Sequence, residues 1–417
     1  MRIHATKIEP INTTPPSKGK HTEKGLLMKA AGAKGLIRNQ NAAGWLIVLC
    51  LMTGLMCLGC DVGERHQAGY YYNYQDYPSS PGWYHGVLHS HALYDAGQWL
   101  TPIAAVVDSA EEQGFDFFVI TNHNTIFEWA DPGYRSRALT LLYGVEWTSS
   151  RGHANIWSNQ PFAFQAILPS IQAGDARNAI RTVHSLSTSD HPLLFSINHP
   201  NRLERGEPSW KASADASKNA DAIEVWNGDD IFLSSTDIFT AFISQGRKMT
   251  MVGGSDAHLK EPDDRQSFTD RLGRPTTWVY ADSRSGKDII RGIKQGHVFI
   301  SADPGGPRLD FFALNVPERI MMGDTIPAEA LGQEVDFTVW VSNAEPPYGV
   351  VVIKNGVPQE AWSQAFNAQE NTFSFSDTPQ NGDYYRLEVR QPASQDVTFD
   401  ELLLAPISAM SNPIYTW

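Results

Sequence analysis

The stretch Gly114-Phe115-Asp116-Phe117-Phe118-Val119-Ile120-Thr121-Asn122-His123 is a short apolar run that delivers a histidine at its end. Four other runs end likewise in a histidine or a carboxylate. Tyr84 to Leu88 lead into His89 and His91, Leu141 to Val145 into Glu146, Leu193 to Asn198 into His199, and Met249 to Gly254 into Asp256 and His258. If these runs are parallel strands, every one of the polar groups lies at the same end of one barrel or sheet. Barrel enzymes put their chemistry at that end, because strand tips are rigid and converge. A convergent set of imidazoles and carboxylates has one common use, the holding of divalent metal ions.

Helical patterns separate the runs, so residues 84–305 read as an α/β domain. In the first helix Thr101 is expected as the N-cap, Pro102 at the first helical position, and Gly114 as a left-handed close. Ile103, Val106, Val107 and Ala110 share one face, as a helix covering a sheet requires. Similar helices are expected over Asp175 to Leu186, Thr236 to Gln245 and Ser285 to Gln295. After Pro307 the character changes. Val335 to Val341 alternates strictly, and Val350 to Lys354 runs into Asn355-Gly356, a hairpin signal. Thr372 to Ser376 and Tyr384 to Val389 continue the pattern, so residues 306–417 read as a small β-sandwich. That part contains no histidine, which leaves the candidate site to the first domain.

With 417 residues and 41% hydrophobic content, the chain has room for two globular domains plus extensions. A net charge of −13 speaks against nucleic acid as the main partner, which calls for a basic face. Cys50, Cys57 and Cys60 are the three cysteines, all in one N-terminal segment. Any metal in the remainder must therefore be held by nitrogen and oxygen. No Gly-x-Ser-x-Gly supplies a serine nucleophile.

The front of the chain reads as an address. Asn39 to Cys60 carries no charge, Trp45 to Leu58 is almost wholly apolar, and Lys29, Lys34 and Arg38 precede it. This is the layout of an export signal, and the apolar core is shorter than the ~20 residues a spanning helix needs. Its end, Leu58-Gly59-Cys60, resembles a bacterial lipoprotein signal. Residues 1–59 are then the signal segment, with Met28 a better-proportioned start than Met1, and Cys60 becomes a lipidated, membrane-anchoring first residue. The expected location is the bacterial cell envelope, as an exported lipoprotein. Residues 60–83, rich in Tyr, Pro, Ser and Gly from Gln67 onward, read as a tether, the other reading being a strand packed on the first domain.

Singly, each site motif has a plain structural explanation. His89-Ser90-His91 also fits a solvated loop, His123 a packed core, Glu146 a surface charge, His153 in Gly152-His153-Ala154-Asn155 a turn, and His199 in Asn198-His199-Pro200 a loop cap. Gly253-Gly254-Ser255-Asp256-Ala257-His258 is the most specific piece, its glycines expected to let the backbone turn tightly. The shared position after apolar runs favours a metal site. As a set, Leu88 to His91, Gly114 to Thr125, Gly144 to Glu146, Gly152 to Asn155, Asn198 to Pro200, Ile223 to Gly228 and Gly254 to His258 resemble the PHP (polymerase and histidinol phosphatase) superfamily of metallohydrolases. More narrowly, they resemble its CehA/McbA-like branch, as does the tail Ser411 to Tyr415. The resemblance implies a distorted (β/α)7 barrel with two or three divalent ions (Zn, Mn or Fe). It implies ligation by His89, His91, His123, Glu146, His153, His199, Asp256 and His258, with Glu146 bridging. Two departures stand out. Asn122 replaces the aspartate usual before His123, and Asp95 stands one position early relative to the usual Ser-Asp-Gly, which leaves Asp95 and a third ion open.

These expectations lead to a metal-dependent phosphoesterase with a metal-bridging hydroxide as nucleophile. A positive site calls for a small anionic substrate, with Asn227, Arg202 and Arg205 as contacts either to the substrate or to the ligands from behind. Hydrolysis of a carboxylic ester, carbamate or amide, as in the carbaryl-hydrolase branch, is the second reading. A non-catalytic cell-surface binding lipoprotein is the third. His184 and His297 read as structural.

Overall fold

The computed structural model describes residues 80–417 except 96–100, 201, 205–206, 229, 232–238, 240–242, 244–245, 259–268, 317 and 395. The signal segment with Cys60, most of the tether, Arg205 and most of the helix expected over 236–245 lie outside the described residues.

The apolar runs are strands. In chain order they are β1 (Gly82–Val87), β2 (Phe117–Phe118), β3 (Thr140–Leu141), β4 (Tyr143–Ser149), β5 (Gly152–Ser158), β6 (Leu193–Ile197), β7 (Ala222–Asn227) and β8 (Thr250–Gly254). β1, β2 and β3 are parallel, as are β6, β7 and β8. Every residue of β6 and β7 is buried, which is why these runs lack the alternation of a half-exposed strand. β5 is the exception, antiparallel to both β4 and β6. Two parallel bridges tie the strand tips together, Ser90 to Ala257 and His123 to Glu146. They join β1 to β8 and β2 to β4 where the polar residues emerge.

Among the described residues three longer helices cover these strands: α1 (Ile103–Glu112), α2 (Ala176–Leu186) and α3 (Gly286–Gln295). α1 buries Ile103, Val106, Val107 and Ala110, the expected face. Its start differs from expectation, because Pro102 stands at the N-cap without a side-chain bond. Thr101 is buried instead, and its carbonyl accepts from Leu93 N at 2.9 Å, pinning the loop that follows His91. α2 and α3 are capped by Asp175 and Ser285, whose side chains accept from Asn178 N and Asp288 N. Among the described residues no helix is long and apolar enough to cross a membrane.

The remaining strands named here are β9 (Thr276–Ala281), β10 (Val298–Ser301), β11 (Arg308–Leu314), β12 (Val335–Ser342), β13 (Tyr348–Lys354), β14 (Val357–Phe366), β15 (Asn371–Asp377), β16 (Tyr384–Arg390) and β17 (Ile407–Ser411). Asn355 and Gly356 both take positive φ, 54° and 80°, and turn β13 into β14 as the sequence predicts. A four-stranded sheet contains β11, β12 and β15. A ten-stranded sheet runs β14-β13-β16-β17-β10-β9-β1-β2-β3 along its main path. The C-terminal strands thus continue the sheet that begins with β1, across residue 306. One core holds Phe337, Val339, Tyr385 and Leu387 together with Trp278 of β9 and Phe299 of β10. β1 itself starts at Gly82, two residues inside the segment read as tether, because Gly82 and Trp83 pair with Ala281 and Tyr280 and Trp83 packs edge-on against Phe299 at 4.8 Å.

The tail ties the layers together. Asn412 is buried, accepts from Met251 N at 2.8 Å, and donates to the carbonyls of Met251 and Val298 at 2.9 Å each. Its amide therefore spans β8 and β10. Asn412→Leu should lower unfolding stability by about 1–3 kcal/mol, since buried backbone groups lose their partners. Thermal denaturation of the two proteins measures this, and an unchanged midpoint would contradict the bridging role.

Candidate metal centre

Strand ends place the candidate ligands. His89 and His91 follow β1, His123 follows β2, His199 follows β6, and Asp256 and His258 follow β8; Glu146 lies inside β4. His153 is the second residue of β5 and pairs with Thr148. Because β5 runs backwards, its beginning lies beside the end of β4, so a residue at a strand start reaches the same place as residues at strand ends. The five runs singled out in the sequence are parallel to one another, and His153 joins them from a reversed strand outside that set. His89, His91 and Glu146 are fully buried, whereas His123, His153 and His258 keep about a fifth of their side chains open and line the mouth.

Glu146 is the hub. Its Oε1 lies 3.2 Å from His153 Nδ1 and 3.5 Å from both His89 Nε2 and His199 Nε2. Its Oε2 lies 2.9 Å from His123 Nε2 and 3.5 Å from His91 Nε2, and Asn198 Nδ2 donates to Oε1 at 3.0 Å. Asp256 is a second hub: Oδ1 lies 3.1 Å from His91 Nε2 and 3.3 Å from His89 Nε2. Among the described residues, ligating atoms fall within 4.8 Å of one another in four groups: His91, Asp95, His123 and His258; His89, His91 and Glu146; His89, His199 and Asp256; and His123, Glu146 and His153.

The electrostatics follow from this packing. Burial alone would raise the Glu146 carboxyl, but His89, His153 and His123 hold it well below the carboxylate range. Asp256 is held down in the same way by His89 and His91 against the same burial. His123 is pushed up to about 10: burial opposes this, and Glu146 and Asp95 overcome it. His258 moves the other way, down to about 4, through burial and then the His91 ring stacked on it at 4.0 Å.

Several residues behave differently from expectation. Asp95, left open by the sequence, is in the cluster: it accepts from His123 N at 2.9 Å, and its Oδ1 and Oδ2 lie 2.8 Å from His123 Nδ1 and 3.2 Å from His91 Nδ1. Glu224 was not singled out, yet it is buried and accepts from His89 Nδ1 at 2.9 Å, His199 N at 3.0 Å and Asn227 Nδ2 at 2.9 Å. The available signal was its position three residues before Asn227 on an otherwise apolar run. Asn227 thus holds Glu224 and is itself buried. Arg202 is half-exposed and donates to Asp256 Oδ2 at 2.8 Å. Asn122 Oδ1 accepts from Ala92 N, and its amide donates to Leu93 O and to buried Glu128. A neutral side chain suits that role, because an aspartate would face a carbonyl and a second carboxyl. The glycines before Asp256 do not make a tight turn, since both lie in β8. They are needed for space: a Cβ on Gly254 would sit 2.0 Å from Glu224 Oε1, and one on Gly253 would sit 2.7 Å from the Ile300 side chain. Asp256 itself takes the positive φ, 46°. His184 and His297 pair with Asp221 and Asp324 at 3.0 and 2.8 Å, away from the ligand groups.

No protein-family model and no curated protein matches the chain. Among solved structures, a two-domain protein from Bacteroides vulgatus containing a predicted PHP-like metal-dependent phosphoesterase aligns at 15% identity with a TM-score of 0.43. The alignment covers 76% of this chain and 92% of that one. A candidate metal-dependent phosphoesterase from Bifidobacterium adolescentis aligns at 14% identity with a TM-score of 0.28, over 44% of this chain and 95% of its own. At TM-scores this low neither likeness carries weight for what this chain does.

Proton linkage gives a direct test of the cluster. A raised imidazole pKa stabilises the metal-free fold fully below about 6.5 and ceases to do so as pH rises towards about 10 for His123. Metal ligation needs the imidazoles neutral. Chelator-treated protein should therefore lose stability across that range, while added Zn²⁺ or Mn²⁺ should stabilise most at its upper end and release protons on binding. A thermal-denaturation series from pH 6 to 9 reads both, and a midpoint indifferent to metal throughout would contradict a metal site.

Proposed function

We propose that this chain is a metal-dependent hydrolase of the PHP type, acting as a phosphoesterase on a small anionic substrate. The observation that carries the reading is the state of the innermost atoms. His89 Nε2, both ring nitrogens of His91 and Glu146 Oε2 are buried without a hydrogen-bond partner, although each faces others of the set at 2.9–3.5 Å. Groups satisfied by one another would align as donors and acceptors. These are arranged to share cations instead, and a nitrogen-and-oxygen donor set suits Zn, Mn or Fe. The tip bridges also support the distorted (β/α)7 reading, since with the sheet pairings they close β1, β2, β4, β5, β6, β7 and β8 into a ring.

Divalent ions held by these residues would supply Lewis acidity and lower the pKa of water from ~15.7 to near 7. The chain's own groups do the rest. Glu146 lies between the groups of ligands and is placed to bridge them. Glu224 fixes the ring orientation of His89 and leaves its Nε2 facing inward, the usual part of a carboxylate behind a ligating histidine. Glu146, Asp256, Asp95 and Glu224 together match the charge of two divalent ions, a tighter balance than two carboxylates alone. The excess positive charge then sits at the rim, on Arg202, whose remaining guanidinium donors suit a phosphoryl group.

Metal-loaded protein should hydrolyse chromogenic phosphate esters faster than matched carboxylic esters. Glu146→Gln should lose metal and activity together, and Glu224→Gln should weaken metal affinity by about 10–100-fold. Turnover and elemental analysis on the same samples decide this. Preference for the carboxylic esters would move the reading to the ester, carbamate or amide class, and full activity in Glu146→Gln would remove the bridging role.

Export and lipidation at Cys60 belong to the same proposal, supported by the uncharged run from Asn39 to Cys60 after Lys29, Lys34 and Arg38. Expressed in a bacterial host, wild type should partition into detergent and Cys60→Ala should not. Equal partitioning would exclude a lipid on Cys60.

A further inference from the structure

Tyr94 stands at φ 83° in a turn closed by Asp95 N donating to Ala92 O at 3.2 Å. A positive φ at the third turn position is the type II pattern, which favours glycine or asparagine. A tyrosine there holds backbone strain, and strain of this kind gathers at ligand clamps and active sites. The side chain does not recover that loss by burial, since Tyr94 is 42% exposed. Its hydroxyl donates to Asp131 Oδ2 at 2.7 Å, while Asp131 Oδ1 accepts from Gly133 N at 2.7 Å. The ring is tethered in the open.

Phe127 meets that ring edge to face at 6.3 Å and is 67% exposed. It opens the short helical turn 127–130, whose Glu128 and Trp129 are buried and leave Phe127 outward. One exposed aromatic needs no explanation. A strained one, tethered, paired with a second and set beside a buried polar centre, does. Tyr94 directly precedes Asp95, whose carboxylate meets the ring of His123, one of the partly open imidazoles at the mouth, and Phe127 follows His123 by four positions.

We infer that Tyr94 and Phe127 form a subsite for a planar aromatic group carried by the substrate beside its anionic head. The exposed faces and edges of the two rings offer stacking and edge contacts to a third ring. Arg202 and the metal centre take the head. The inference deepens the hydrolase reading, borrowing from it only that the head is anionic.

Benzylphosphonate and methylphosphonate share a non-hydrolysable head and differ by the ring. Calorimetric titration into metal-loaded full-length protein should show benzylphosphonate binding about tenfold more tightly, the scale of one aromatic stack. Tyr94→Gly and Phe127→Ala should each remove most of that preference and leave methylphosphonate affinity unchanged. Tyr94→Gly should also unfold at the wild-type temperature or above, because glycine relieves the turn. Equal binding of the two phosphonates by wild type, or a preference that survives in both variants, would overturn the subsite. Benzyl phosphate and methyl phosphate separate this from the reaction itself. Preference in binding with turnover of neither ester would refute the hydrolase reading and sustain the subsite.

Discussion

Two carboxylates, fully buried Glu146 and the largely covered Asp256, sit at the centre of this molecule and remain ionised. An isolated carboxylate in that position costs several kcal/mol and would take up a proton instead. Here imidazoles from separate strand tips surround them, so each charge is bearable only while the tips stay together. That dependence runs both ways. The tips converge because the strands are packed on both faces, and the cluster gives a reason for so many polar residues to tolerate full burial. Behind the first ring of contacts Glu224 repeats the arrangement, accepting from His89, His199 and Asn227. A histidine facing a carboxylate on each side has its ring plane fixed, which a shared cation requires.

The backbone at the tips shows the cost of turning side chains inward. His199, Asp256 and Asn124 have φ values of 26°, 46° and 52°, a region non-glycine residues seldom enter. In each case the strained residue's own N–H is held by a neighbouring tip. His199 N donates to Glu224, Asp256 N to the carbonyl of His89, and Asn124 N to the carbonyl of Glu146, at 2.9–3.0 Å. The bonds that offset the strain are thus made by the same segments that supply the cluster. Strain, burial and charge form one cooperative unit rather than separate features of the site.

Much of this unit was legible from the sequence, because an apolar run ending in a polar residue states both the strand and its tip. The histidines at strand ends follow from that pattern, and the C-terminal strands follow from strict alternation and the Asn355-Gly356 turn. What escaped depends on pairing between distant segments. The reversed direction of β5 is not written in Gly152 to Ser158; it follows from the tight connection to β4 and the pairing with β6. Glu224 sits within an apolar run rather than after it, so the rule that found the others passed over it. The role of Gly254 rests on Glu224 and His89 approaching from two other strands, which no local pattern encodes. Thr101 has the right chemistry for a cap, yet the loop after His91 claims its carbonyl and its side chain is buried.

The C-terminal strands carry no histidine, but they are not an appendage. β8 delivers Asp256 and His258, and its own sheet neighbour is β7. On its other side the Thr277 hydroxyl of β9 bonds both backbone groups of Gly253, and Asn412 bonds both of Met251 and passes on to Val298 of β10. β10 in turn pairs with β17, the strand from which Asn412 emerges. The tail therefore closes a loop of hydrogen bonds around the strand that leads into Asp256. Holding that strand fixes where Asp256 sits relative to Glu146, and the spacing of those two charges decides whether the centre can share cations at all.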